Sequence, residues 1–172
     1  GSEMCIRDRD YDPNWTPNTT DAAGRRYCFG KQAQIAHWNL VQLANAIYPL
    51  VEQAEPLEKA LNSYVEEFEH GWQAMMAAKL GLESFKPETD DALISDLLAV
   101  LPLAETDMTI FYRQLAQLDV SGEPAISDEA LLEPIQDAYY VPELLTSEVV
   151  QQISAWLRRY ATRVRESGIS DE

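Results

Sequence analysis

The side chains of this sequence that could carry chemistry are two histidines, two cysteines and a large surplus of carboxylates. His37 and His70 lie too far apart to suggest a metal site by themselves, and each reads as a surface or half-buried helix residue. Cys5 and Cys28 fit neither a zinc spacing nor a disulfide framework. Cys28 has no adjacent base to hold it as a thiolate, although nearby Arg25 and Arg26 leave a modest reactivity open. Glu66, Glu67 and Glu69, and the pair Asp90 and Asp91, occupy polar positions of expected helices and read as a solvated face. Arg158, Arg159, Arg163 and Arg165 crowd the end of the last expected helix. Cations there suit the negative end of the helix dipole, with a phosphate site as the alternative reading. The sequence has no G-x-G-x-x-G, P-loop, H-E-x-x-H or G-x-S-x-G. No residue is therefore assigned a catalytic, cofactor-binding or metal-ligating role.

The elements that would position such residues are helical. Asp10 to Gly30 is a loop rich in Pro, Asn, Thr, Asp and Gly, which fix turns. It also carries Tyr11, Trp15, Tyr27 and Phe29, so it is expected to pack on a neighbouring body. Lys31 to Glu55 has helical apolar spacing, with a kink or early end expected at Pro49. Trp38 and Leu43 are expected to be buried, and Trp38→Ala to cost about 3 to 5 kcal/mol. Pro56 starts a second helix reaching about Leu80, which Gly81 stops. Thr89 is the expected N-cap of a helix through Val100 that Pro102 ends. Thr106 or Asp107 starts another, with Phe111 and Leu115 inward. Val120 to Pro124 is a turn, and Ser127 opens a short helix with Leu131, Leu132 and Ile135. Ser147 caps the last helix, whose stripe includes Ile153, Trp156, Leu157, Tyr160 and Val164. The pattern predicts a mainly α protein, one domain of six or so helices, with no sheet beyond a short hairpin near Arg26 to Phe29.

Composition narrows the function classes. The 172 residues include 29 acidic and 13 basic side chains, a formal charge of −16, which would repel phosphate backbones and disfavours nucleic-acid partners. There is no basic amphipathic helix for an anionic membrane. No apolar run approaches the roughly 18 to 20 residues needed to span a bilayer, since Ala92 to Ala104 is broken by Asp96 and Pro102. The start lacks an apolar signal-peptide core. A soluble, cytoplasmic protein is expected, without nucleic-acid or membrane partners. Residues 1–9 stand apart: Glu3 to Arg9 reads like a translated sequencing adaptor and is set aside as an artefact, together with Cys5.

Three blocks carry a resemblance. Tyr11-Asp12-Pro13-Asn14-Trp15-Thr16-Pro17-Asn18-Thr19-Thr20-Asp21 is followed by Gly24-Arg25-Arg26-Tyr27-Cys28-Phe29-Gly30-Lys31-Gln32 and by Ile35-Ala36-His37-Trp38-Asn39-Leu40. Together they resemble the selenoprotein O family, whose pattern runs Y-D-P-x-[FW]-x-x-N-x-[ST]-D, G-R-Y-x-F-x-x-Q-P and I-x-x-W-N-L-x-x-L-A. Asp107 to Leu115 and Trp156 to Tyr160 are similar to later family blocks. Ala33 stands where the family usually has proline, and Pro17 where some bacterial members have cysteine, so a redox switch is not carried over.

The resemblance implies a protein-kinase-like fold that transfers AMP from ATP to Ser, Thr or Tyr hydroxyls of proteins, using Mg²⁺ or Mn²⁺. It also implies that the catalytic N-T-D-N and D-Y-G-P motifs precede Asp10. The Asp10-Tyr11-Asp12-Pro13 run looks like the second of these but falls in another register, so Asp10 is not assigned to a metal. Residues 10–30 would then be an activation-segment-like loop, and residues 31–172 a helical C-lobe region truncated at both ends. Alone, such a fragment is expected to be inactive. The alternatives are a non-catalytic helical interaction module and a nucleotide-binding pseudoenzyme.

Overall fold

The computed structural model describes residues 10–16, 24–120 and 127–168. The adaptor-like start and the turn expected at Val120 to Pro124 lie wholly or mostly outside them. Six α-helices occur among the described residues: α1 (Gln32–Val51), α2 (Glu55–Lys79), α3 (Pro87–Val100), α4 (Met108–Gln114), α5 (Asp128–Leu132) and α6 (Ser147–Glu166). Short 3₁₀ turns fill Phe29–Lys31, Leu101–Leu103, Leu115–Gln117, Glu133–Ala138 and Pro142–Leu144. The extended pairing given is an isolated bridge between Thr106 and Tyr139. Arg26 to Phe29 forms turns and the start of a 3₁₀ helix rather than a hairpin.

Local chemistry sets the boundaries. Pro49 sits inside the last turn of α1, which ends two residues later where Glu52 turns left-handed at φ 55°. Gly81 stops α2 at φ 65°: Leu82 N donates to Ala77 O at 2.9 Å and Gly81 N to Ala78 O at 3.2 Å, the paired bonds that satisfy a helix's last carbonyls. Two expected caps move. α3 starts at Pro87 after Lys86, because a proline at the first helical position loses no hydrogen bond, and this places Thr89 inside the first turn. Thr146, one residue before Ser147, caps α6 by accepting from Val149 N. Asp107 caps α4 as expected, accepting from Thr109 N and Ile110 N.

The chain divides into two compact units, one covering Asp12–Gln73 and the other Ala74–Glu172 with the segment ending at Tyr11. α2 runs through the division. In the first unit α1 and the early part of α2 follow one another across a short link. Tyr64 of α2 reaches the first turns of α1, stacking on His37 at 6.0 Å and donating to Ala33 O at 3.4 Å. The half-buried face of α1 is the line Ala33, His37, Leu40, Ala44 and Ile47. Trp38 and Leu43, expected inside, are 45% and 55% exposed. They lie off that line, on a helix whose exposed Asn39, Gln42 and Asn45 carry no charge to mark its solvent side.

The second unit holds the larger core, and α6 organises it. Trp156, Tyr160 and Arg163 recur at helical spacing on one face. Trp156 Nε1 donates to Leu93 O at 2.8 Å, and Tyr160 Oη donates to Leu80 O at 3.0 Å. The two rings stack at 5.3 Å, with Phe111 6.0 Å from Trp156. Leu80, Ile94, Leu97, Ile135 and Leu157 are fully buried around them.

Arg163 is not the dipole-facing surface cation expected from its neighbours, nor is Asp90 a solvated carboxylate. Both are buried. Arg163 Nε donates to Asp90 Oδ1 at 2.6 Å, and Nη2 to Asp90 Oδ2 at 2.9 Å and to Ser84 O at 3.0 Å. Lys86 N also donates to Asp90, at 2.7 Å. Burial pushes the Asp90 carboxyl up. The bonds from Arg163, Lys86 N and Thr89, with the Arg163 charge, outweigh that and hold it below the ordinary carboxylate value.

A group with a depressed folded pKa stabilises the protein above its unfolded value, about 3.9 for Asp, and loses that contribution as pH falls through the folded value. Asp90→Asn should therefore cost about 3 to 5 kcal/mol at pH 7, because it strands a buried guanidinium. In denaturant titrations the gap between wild type and variant should narrow below about pH 4. A gap independent of pH would contradict the ion-pair account.

Candidate functional site

The N-terminal loop owes its shape to a few backbone ties. Asp12 Oδ1 accepts from Asn14 N at 2.8 Å, a short turn that commits this carboxylate locally. Phe29 N donates to Trp15 O at 2.9 Å and Gly30 N to Pro13 O at 2.7 Å, closing the loop on itself. Gln32 Nε2 holds the carbonyls of Tyr27 and Cys28 at 2.8 and 3.1 Å. A Cβ on Gly30 would lie 3.0 Å from Pro13 O and 3.1 Å from Pro13 Cβ, so glycine is what permits this approach. Cys28 is buried, 1% exposed, with a free thiol. Its burial favours the structural reading over a reactive one.

Beside this loop, Arg26, Lys31, Gln34, Ile35 and Trp38 line a recess of about 300 Å³. The Arg26 guanidinium lies 5.5 Å from the centre of the Trp38 ring, within the range of cation–π attraction. This places two cations and an exposed indole on one small surface of an otherwise strongly acidic chain.

The second basic cluster has a different use. Arg158, Arg159 and Arg163 help line a recess of about 480 Å³ between α3 and α6. Arg158 pairs with Asp128 at 2.6 Å, Arg159 with Asp96 and Arg163 with Asp90. Each guanidinium is matched by a carboxylate, which removes the charge excess that a phosphate would need. Glu88 and Glu166 on the same rim oppose an anion further.

The other candidates stay dispersed. His37 stacks on Tyr64, and Glu66, Glu67, Glu69 and Asp91 are exposed. Among the described residues no three His, Cys, Asp or Glu side chains gather as a metal ion would require. These residues therefore do not fit a metal–nucleotide group. The pairing that sequence reading missed, Asp90 with Arg163, had a local signal. Asp90 precedes Leu93, Ile94 and Leu97 at helical spacing, and Arg163 follows Trp156 and Tyr160 likewise, so each charge sits on an apolar face.

Gly30→Ala should destabilise the loop through its clash with the Pro13 backbone. About 1 to 3 kcal/mol is expected, as for overpacked sites, together with faster exchange of the Phe29 and Gly30 amides by hydrogen-exchange mass spectrometry. Unchanged exchange at these amides would show that the loop does not depend on this contact.

Comparison with known proteins identifies the family. Residues 8–171 match the family model described as protein adenylyltransferase SelO. Among curated proteins, the chain is 53% identical over 158 residues to the protein nucleotidyltransferase YdiU of Rhodopirellula baltica, covering 90% of this chain and 29% of that protein. It is 47% identical over 163 residues to the protein of the same name from Flavobacterium johnsoniae, covering 95% and 30%. With that of Aromatoleum aromaticum it shares 46% identity over 157 residues, covering 91% and 28%. The chain thus spans under a third of the length of these relatives. The match runs through the loop tied by Gly30, α1 and α2, and the α6 core, and the chain belongs to the SelO family of protein adenylyltransferases.

Proposed function

We propose that this chain is the helical C-lobe portion of a larger, protein-kinase-like enzyme that transfers AMP from ATP to Ser, Thr or Tyr hydroxyls of other proteins. In that reaction the hydroxyl oxygen bonds to the α-phosphorus and pyrophosphate leaves. The observation that carries the reading is the family match over residues 8–171. The relatives' name, protein nucleotidyltransferase, supports the same reaction class. Mg²⁺ or Mn²⁺ would accompany ATP in the whole protein, held by residues outside this chain. Residues 10–30 would serve as an activation-segment-like loop and residues 31–172 as the body beneath it. The helical content of the described residues is consistent with a C-lobe. The partners are ATP and protein substrates, not nucleic acid or membranes. No helix among the described residues is long and apolar enough to cross a bilayer.

Charge opposes activity of the fragment by itself. A triphosphate needs several cations or oriented N–H donors. This chain carries a net −16, and Arg158, Arg159 and Arg163 of α6 are already matched by carboxylates.

Calorimetry with ATP and Mg²⁺ should show no micromolar binding to the 172-residue chain, and labelled-AMP assays no transfer. A longer polypeptide that carries the N-T-D-N and D-Y-G-P motifs ahead of Asp10 should do both. Micromolar ATP binding by the chain alone, abolished by Arg26→Ala, would place the nucleotide site inside it and overturn this division of labour.

A further inference from the structure

The charge of this chain is unevenly placed. Acidic side chains outnumber basic ones by 29 to 13, yet residues 24–51 carry Arg25, Arg26 and Lys31 and no Asp or Glu. The other five α-helices among the described residues each have a carboxylate at the N-cap or in the first turn. α1 has none there, and Lys31 occupies its N-cap without a side-chain cap bond. A cation in that position opposes the helix dipole and so does not stabilise α1. The contrast with α6 is direct, since Arg158, Arg159 and Arg163 are each matched by a carboxylate. The bonds given for Lys31 and Arg25 run instead to uncharged main-chain carbonyls, those of Gly24 and Asn14, each at 3.4 Å.

These cations border the recess of about 300 Å³ that Arg26, Lys31, Gln34, Ile35 and Trp38 line, all within the first unit. Ile35 is buried and supplies an apolar surface, while Trp38 is 45% exposed and carries the Arg26 guanidinium against its ring. At about 100° per residue, Trp38 lies roughly 140° round α1 from Ala33, whose carbonyl accepts from Tyr64 of α2. The recess is therefore turned away from α2 and from the glutamates that α2 carries. Exposed charges farther off than about 8 Å are largely screened at physiological salt. What an entering anion meets is thus the local positive charge and not the net charge of the chain.

We infer that this recess receives an acidic segment of the protein substrate. A glutamate or aspartate side chain suits both of its surfaces. The methylene stem packs on Ile35 and Trp38, and the carboxylate accepts from the Lys31 ammonium and the Gln34 amide. A phosphate group has no stem to lay on an indole and asks for several convergent donors. Arg25, next to Arg26 in the chain, carries the positive charge beyond one anion's width and so favours a run of carboxylates. The recess also adjoins the activation-segment-like loop. The inference rests on the AMP-transfer reading for the identity of the partner, but binding itself requires no transfer.

Fluorescence anisotropy tests this with labelled peptides that centre on one serine and differ only in their flanking residues, which are glutamate, glutamine or lysine. The 172-residue chain should bind the glutamate peptide about tenfold more tightly than the glutamine peptide, against the order that a net −16 alone would give. Lys31→Glu should abolish that preference, because it sets like charges together. Lys31→Gln should weaken glutamate-peptide binding by about threefold, and Trp38→Ala should weaken it through the lost apolar wall. Lys31 makes no cap bond, so circular dichroism should show both Lys31 variants folded like the parent. A preference for the lysine peptide overturns the inference, as does a glutamate preference that survives Lys31→Glu. Displacement of the glutamate peptide by micromolar pyrophosphate would make the recess a phosphate site and also overturns it. A second arm places this chain in the matching part of the Rhodopirellula baltica relative and measures AMP transfer to the glutamate and glutamine peptides. The ratio of their kcat/KM values should fall about tenfold with Lys31→Glu, the change lying in KM. A chimera that uses both peptides equally, or that no longer binds the glutamate peptide, overturns the inference and leaves the AMP-transfer reading standing. A chimera that binds the glutamate peptide but transfers no AMP counts against the transfer reading alone.

Discussion

The second unit depends on three polar atoms carried by one helix face. Trp156, Tyr160 and Arg163 each send a donor from α6 to an acceptor in the stretch from Leu80 to Leu93. Apolar packing alone could be met by several rotations of α6, because dispersion and area burial have no direction. Hydrogen bonds with fixed geometry cannot, and a buried guanidinium facing anything but a carboxylate would cost several kcal/mol. The three donors therefore select one register of α6 against α3 and the end of α2, and the apolar side chains then fill it. Arg163 Nη1 remains buried with no hydrogen-bond partner given for it among the described residues, a cost the pair with Asp90 has to offset.

The helices were largely legible because proline, glycine and capping residues act locally. Pro49, Gly81, Asp107 and Ser127 each work through their own backbone or that of residues a few positions away. Of the two caps that moved, Ser147 gave way to its neighbour Thr146, which accepts from Val149 N, whereas Thr89 fell inside α3 because Pro87 opens that helix after Lys86, which makes no side-chain cap bond. The facing of α1 was not legible. Trp38 and Leu43, five residues apart, lie about 140° apart round the helix and cannot share one buried line, whereas Ala33, Leu40 and Ala44 do, and size alone favoured the wrong residues. Asp90 with Arg163 was missed for a different reason. Type and exposure were inferred from charge, whereas the partner lies 73 residues away and only the three-dimensional fold brings it near.

Legibility of the site followed the same division. The loop around Gly30 could be recognised by its blocks of unusual residues. The reason for the glycine, a close approach to Pro13, is a property of the folded backbone. The arginines of α6 were visible as a cluster, but their neutralisation by Asp96, Asp128 and Asp90 was not. A cluster of one charge in sequence is thus a poor guide to an anion site until the opposite charges that fold against it are known.

The distance along the chain between Asp90 and Arg163 also governs when the second unit can form. During synthesis, α3 emerges with a buried-type carboxylate and a row of leucines well before Trp156, Tyr160 and Arg163 have left the ribosome. Closing a loop of that length has an entropic cost that grows only slowly with its size, but the closure has to wait for the residues that reward it. Until then Leu93, Ile94 and Leu97 have no α6 to pack on, and the nascent chain carries an apolar surface of the kind that chaperones hold. A ribosome stalled anywhere between α3 and the last turn of α6 would leave a polypeptide whose helices can form but whose core cannot.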